Sequence, residues 1–275
     1  MALIEQTRRQ LRQRVADVFG DLRTITATAN GSTTTFVDTF NVNTGTEDYR
    51  KCEILFTSGA NNGLASVVTA TNQTTGTLTF TPARTATVAN DTAELYKMRG
   101  TGFSLAEYHR AINNAIHELH GVALIPSIVN IVPTFDATTQ TFVAPASLTE
   151  VYRVEYKDRS DTWNEIRPAL RKGESGWTAE PDDYVRIEGY DAWMADGRPL
   201  RVWGYGIQNP LTDDDSVCLY SAEAVVAIAA ANLCQSRIDR EPKYSSLLLT
   251  LLKRAEDARA GARVIREPQP QMVNR

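Results

Sequence analysis

Cysteine is scarce in this chain: Cys52, Cys218 and Cys234 are odd in number, widely scattered and never in a C-x-x-C pair. That pattern excludes a disulfide framework and offers no zinc-knuckle spacing, so a reducing cytoplasm is the expected place of synthesis. Long apolar runs are missing too. No stretch approaches the length a bilayer requires, and MALIEQTRRQLRQRV has no uninterrupted apolar core before a small-residue cleavage site, so the chain reads as neither membrane-spanning nor exported. Positive charge is not in excess either, with 29 Lys and Arg against 33 Asp and Glu. A net charge of −4 argues against a protein that grips nucleic acid through a basic surface, although DNA could pass such a surface without being held.

What is present is a foldable composition, 42% apolar and 23% charged over 275 residues, enough for two modules. From Leu3 to Phe19 the positions Ile4, Leu11, Val15 and Val18 mark one helical face while Arg8, Arg9, Arg12 and Arg14 occupy the others, and Gly20 is the expected stop. Residues 21–98 change character. Twenty of these 78 are Thr and two are Lys, and Asn30-Gly31, Thr44-Gly45, Ser58-Gly59, Asn61-Asn62-Gly63 and Thr75-Gly76 punctuate short β-rich runs, which predicts a small all-β module of about five or six strands.

Ser104 and Glu107 form an S-x-x-E capping box, followed by the stripe Leu105, Tyr108, Ile112, Ile116 and Leu119 up to Gly121. Between Ile128 and Gln208 the pattern is extended again, predicting four to six strands that carry all four Trp residues. Ser221 to Ile238 is Ala-rich and apolar nearly all round, the mark of a buried helix. Pro242 suits a helix N1 position, and Leu247, Leu248, Leu251, Leu252, Ala255 and Ala258 continue a last helix to about Arg263. The fold class expected from this is α+β: a bundle of about four helices (1–20, 99–127 and 211–263) with two inserted antiparallel β regions (21–98 and 128–210) and an extended arm over 264–275.

Motifs for chemistry are weak. His109, Asn113, His117 and His120 share one helical flank, but His117-Glu118-Leu119-His120 is H-x-x-H without a third ligand, so a polar flank facing a neighbouring subunit or solvent is preferred to a metal site. Ser58 and Ser175 lack the G-x-S-x-G elbow, and no strand leads into a phosphate-binding glycine loop. Asp213-Asp214-Asp215 read as cap and dipole partners of the helix that follows. Arg8, Arg9, Arg12 and Arg14 form either a protein contact or a solvated face. No catalytic, cofactor or metal residue is assigned, which leaves a binding or assembly role.

The order of elements resembles a known family. An N-terminal helix, a Gly/Thr β insertion, FSLAEYHRAINNAIHEL, a Trp-bearing β region, and the closing pair LYSAEAVVAIAAANL and YSSLLLTLLKRAEDARA are similar to the head-to-tail adaptor, or head-completion, proteins of tailed bacteriophages. The resemblance covers most of the chain and rests on organisation and local flavour; the two large β regions set it apart from the shortest members. It implies a structural virion protein of the neck, made in the host cytoplasm, that assembles as a ring, usually dodecameric, beneath the portal vertex. Such a ring continues the DNA channel without binding the duplex tightly. Its partners would be the portal protein, the tail or next neck protein, and itself, with no membrane and no cofactor. The arm residues Val264, Ile265, Arg266, Met272 and Val273 would dock on the portal. His109, Asn113, His117, His120, Arg8 and Arg12 are the candidate subunit interface. In this picture the Thr-rich module is an extension that leaves the bundle undisturbed.

Three other readings compete. A carbohydrate-binding or adhesive protein would use Trp163, Trp177 and Trp193 for sugar stacking. An enzyme would draw on Glu150, Glu155, Asp158 and Glu165, whose strand spacing offers no particular acid/base geometry. A stopper, tail terminator or tail-tube component resembles mainly β proteins, which four helices disfavour.

Overall fold

A computed structural model describes residues 5–42, 48–98, 102–120, 122–132, 140–169, 175–180, 184–189, 199–238, 241 and 243–262. The expected arm at 264–275, and with it Val264, Ile265, Arg266, Met272 and Val273, lies outside the described residues, as do Gly121, Trp193 and Pro242. The chain divides into two compact units, one from residues 1–118 and 210–261, the other from 119–209 and 262–275.

In the first unit, helix α1 (Arg8–Phe19) starts with a reciprocal cap in which the Gln10 amide donates to Thr7 Oγ1 and the Thr7 amide to Gln10 Oε1. It stops at Gly20, whose φ of 61° suits glycine and ends the helix at the expected residue. The seven strands that follow are β2 (Arg23–Thr26), β3 (Ala29–Ser32), β4 (Thr35–Val37), β5 (Glu53–Phe56), β6 (Ala65–Asn72), β7 (Thr77–Thr81) and β8 (Thr92–Tyr96). They pair antiparallel in the order β2-β8-β5-β6-β7-β4-β3. The two ends of that order are consecutive in sequence. Between them the Ala27 amide donates to Asp91 O and the Thr28 amide to Val37 O, so one kinked segment, 23–32, joins both edges and the sheet closes as a barrel.

The threonines follow from that closure. Along β7 the residues Leu78 and Phe80 are buried while Thr77, Thr79 and Thr81 are not. β-Branched Thr suits a pleated surface that is wet on one side. The interior is filled by Ile25, Phe36, Ile54, Phe56, Val68, Leu78, Phe80 and Leu95 with their neighbours.

Helix α2 (Leu105–Leu119) opens with the expected capping box: the Glu107 amide donates to Ser104 Oγ and the Ser104 amide to Glu107 Oε2. Its stripe Leu105, Tyr108, Ile112, Ile116 and Leu119 is buried. Helix α3 (Ala222–Arg237) is the helix expected to be apolar all round; Val225, Ile228, Ala229, Ala230 and Cys234 are each without exposure. Helix α4 (Lys243–Gly261) packs beside it. A short ladder of β1 (Gln6–Thr7) with β16 (Val217–Cys218) brings the segment before α3 against the start of α1.

The second unit is a sandwich. Its larger sheet has the order β12-β11-β15-β9, from β9 (Ile125–Ile131), β11 (Glu150–Lys157), β12 (Trp163–Ile166) and β15 (Leu200–Gly206). The smaller has the order β10-β14-β13, from β10 (Thr141–Val143), β13 (Gly176–Glu180) and β14 (Tyr184–Glu188). Phe142, Val154, Ile166, Trp177, Val185, Ile187, Leu200 and Val202 form one core between the two sheets.

The expected fold class is therefore corrected. Among the described residues there are 16 strands in four sheets and four helices, so the fold is β-rich and is not a helical bundle with strands inserted into it. Leu11 and Val15 of α1 and Leu251 and Ala255 of α4 are buried as expected, but so is Arg12, expected opposite the apolar face, while Leu252, expected within the last stripe, is exposed; what covers α1 and α2 includes the barrel, and the first β region belongs to the same compact unit as the helices.

Candidate functional site

The first unit is organised around Arg12, which has no exposed surface. Its Nε donates to the Tyr96 hydroxyl at 2.9 Å, Nη2 to Glu94 Oε2 at 3.2 Å, and Nη1 to Asp214 Oδ1 at 2.6 Å and to His109 Nε2 at 3.0 Å. Glu94, equally buried, also accepts from Arg9 Nε at 2.8 Å, Gln13 Nε2 at 2.7 Å and the Tyr96 hydroxyl at 2.6 Å. Arg8 completes the set with 2.9 Å to Asp214 Oδ1 and bonds to the carbonyls of Leu211 and Thr212. Burying charge is expensive unless every polar atom finds a partner, and here α1, β8, α2 and the 211–216 turn each supply one.

The titration behaviour follows from this geometry. Burial works to lower the Arg12 pKa, but the Asp214 hydrogen bond and the field and hydroxyl of Tyr96 outweigh it and raise the value. Burial likewise favours protonated Asp214, and its bonds and charge pairing with Arg12 and Arg8 overcome that and hold it below the usual carboxylate range. Burial, then Arg8 and Arg12, push His109 down to about 4. The neutral ring accepts the Arg12 proton at Nε2, which places its own hydrogen on Nδ1.

A second latch holds the entry of α2. Asp21, nearly buried, accepts from the amides of Met98 (2.6 Å) and Phe103 (2.7 Å) and from the Tyr108 hydroxyl (2.7 Å). Gly102 makes room for it, since a Cβ there would lie 1.9 Å from Asp21 Oδ1. Glu53 of β5 accepts the Leu105 amide at 2.8 Å, so a barrel carboxylate caps the helix. These contacts contradict the expectation that the Thr-rich module leaves the helices undisturbed: it supplies Glu53, Glu94 and Tyr96 to them.

Arg8, Arg12 and His109 meet in the network just described, with Arg12 wholly inside the subunit. Asn113 pairs with the Leu211 backbone in both directions, Nδ2 to the carbonyl at 3.2 Å and Oδ1 from the amide at 2.9 Å. His117 is exposed, and His120 Nε2 lies 2.8 Å from the Gln208 carbonyl. The His flank is thus divided among separate tasks. The expectation that Asp213 to Asp215 cap the following helix is not met: α3 begins only at Ala222, and of the three only Asp214 reaches a helix, α1, where its carbonyl accepts the Arg9 amide beside the Arg8 amide bond to Ser216 O and its carboxylate pairs with Arg8 and Arg12. Ser58 Oγ accepts the Thr92 amide at 2.7 Å, a structural role within the barrel.

In the second unit, Trp177 is core and the Arg201 guanidinium lies 4.2 Å from the centre of the Trp163 ring. That contact occupies a ring face a sugar would need. Glu155 is buried beneath Arg153, Arg201 and Trp203, whose Nε1 donates to it at 3.0 Å. Asp158 turns the β11–β12 connection by accepting from Thr162, Ser160 and Asn164, and those bonds pull it down to about 2.

A cleft of about 320 Å³ opens beside the network, lined among others by Arg8, Arg9, Thr57, Asn62, His109 and Asp213. Among the described residues no three or more His, Cys, Asp or Glu converge as a metal site, and no helix is long and apolar enough to cross a membrane. Glu94, Tyr96, Asp21 and Glu53 went unrecognised in the sequence. The available signal was Glu94 inside the otherwise apolar run TAELY, set against four arginines on α1.

No protein-family model matches the chain, and no curated protein matches it.

Proposed function

We propose that this protein is a structural component of the head-to-tail junction of a tailed bacteriophage, an adaptor that docks on the portal and extends the DNA channel. The observation that carries the reading is the state of α4. Of its apolar side chains Tyr244, Leu251 and Ala255 are buried, while Leu249 is 76% exposed and Leu252 is 42% exposed, one turn apart on the outer face. Leucines on the outside of the last described helix suit a protein partner, because water gains nothing from them. The net charge of −4 suits a conduit wall along which DNA must slide.

The test is co-sedimentation of the purified chain with portal assemblies. Binding, and its loss in a folded Leu249→Lys/Leu252→Lys variant, is the expected result; a chain that ignores the portal in every buffer contradicts the adaptor. The β-rich fold favours a second reading within the same class, a stopper or tail terminator, since the objection from four helices no longer holds. That component would bind an assembled neck or a tail tube and not the bare portal.

A further inference from the structure

The buried network does not balance its own charge. Arg8, Arg9 and Arg12 bring three positive charges and Glu94 and Asp214 bring two negative ones, with the His109 ring neutral. One positive charge is left over. Arg12 is wholly enclosed, and Arg8 is spent on Asp214 and on the carbonyls of Leu211 and Thr212, so the surplus meets solvent mostly at Arg9, whose side chain is 37% exposed.

Arg9 lines the cleft of about 320 Å³. Its Nε is held by Glu94, and neither Nη atom has a hydrogen-bond partner among the described residues. His109 lines the same cleft with Nε2 taken by Arg12, which leaves its Nδ1–H as a donor without a partner there. The Asn62 side-chain amide is a third uncommitted donor. The opposite character comes from the 213–215 turn. Asp214 is consumed by Arg8 and Arg12, but the Asp215 carboxylate has no partner among the described residues, and Asp213 uses only Oδ2, for the Thr212 hydroxyl. Both are exposed and both line the cleft.

Uncommitted donors around a surplus positive charge call for an anion, while two uncommitted carboxylates on the same cleft turn away one that carries several charges. We propose that the cleft is a binding site for a carboxylate borne on the same small frame as a cationic group, the carboxylate received by Arg9, His109 and Asn62 and the cation by Asp213 and Asp215. A planar carboxylate matches the paired donors of a guanidinium. The volume lies at the lower end of small-ligand pockets, about 300–1,000 Å³, which suits an amino-acid-sized ligand or one pair of charged side chains. A free amino acid carries the pair on its α-carbon; a partner chain carries it as neighbouring Lys and Glu. The site does not depend on the adaptor reading.

The test is titration of the full chain, followed by the ring resonances of its three histidines, with His109 assigned by its absence in His109→Gln. The probes are L-glutamine as the free zwitterion, acetyl-Lys-Glu-amide as the peptide-borne pair, and acetate and inorganic phosphate as anions alone. A saturable shift of His109 with His117 unmoved is expected from one of the first two, about 10-fold tighter than from acetate or phosphate because ion pairs to Asp213 and Asp215 are added. Whichever binds more tightly names the source. Asp215→Asn, which has no hydrogen bond or ion pair to lose, should weaken that binding about 3-fold, and Asp257→Asn, an exposed carboxylate of α4, should leave it unchanged. No saturable His109 shift with either bipolar probe, acetate or phosphate binding as tightly, or unchanged affinity in a folded Asp215→Asn protein would each overturn the proposal. Failure to bind portal bears only on the adaptor.

Discussion

The two units handle charge in opposite ways. In the first, Arg12 and Glu94 are both without exposure and lie between a helix and a strand, so the ion pairs join elements that are far apart in sequence. In the second, Arg153, Arg201, Glu155 and Trp203 form a ladder on the outer face of one sheet, joining residues that are already cross-strand neighbours. Charge in the first unit decides which elements belong together. In the second it covers a surface whose architecture the apolar core has already fixed.

The sharpest way to break this comparison is to delete residues 24–97 and join the ends with a Gly/Ser linker. Were the barrel an appendage, the helices would survive. Because it supplies Glu53, Glu94 and Tyr96, loss of the helical circular dichroism signal of the first unit is expected. Next in size is Glu94→Ala, which removes the buried acceptor shared by Arg9, Arg12, Gln13 and Tyr96 and leaves Asp214 as the one carboxylate bonded to Arg12; about 3–5 kcal/mol of destabilisation in urea unfolding is expected. Arg153→Ala in the second unit should cost no more than about 1 kcal/mol, since its head group is partly exposed and Arg201 and Trp203 still serve Glu155.

A smaller effect comes from pH. The His109 pKa is depressed from 6.5 to about 4, so between those values the unfolded chain binds a proton that the folded one refuses. The contribution is complete above pH 6.5 and is lost as pH falls toward 4, by about 2 kcal/mol given the ring's partial exposure. His109→Gln, which can still accept from Arg12, should flatten stability across that window. The smallest effect is expected on α4, where Leu249→Lys should change stability by less than about 0.5 kcal/mol, because the side chain touches mostly water.

Local signals were legible in the sequence because they depend on neighbours a few residues apart. Gly20 ends α1, Ser104 and Glu107 cap α2, the Ala-rich α3 is buried, and the Thr-rich runs are strands. The closure of β2 onto β3 was not legible, since it turns on a kink at Ala27 and Thr28 that no residue type announces. Nor was the role of Glu94: a carboxylate in a strand usually faces water, and its burial depends on arginines some eighty positions earlier. Without those long-range pairings the apolar helix faces are one another's natural cover, which is why the sequence pattern alone points to a bundle.

The claim that barrel and helices are one body is tested most directly by native-state hydrogen exchange of the intact chain, alone and with Glu94→Gln. The expected result is that amides of α1, α2, β5 and β8 share one slow opening that the substitution accelerates in all four together. Helices that open while the barrel strands stay protected would contradict it.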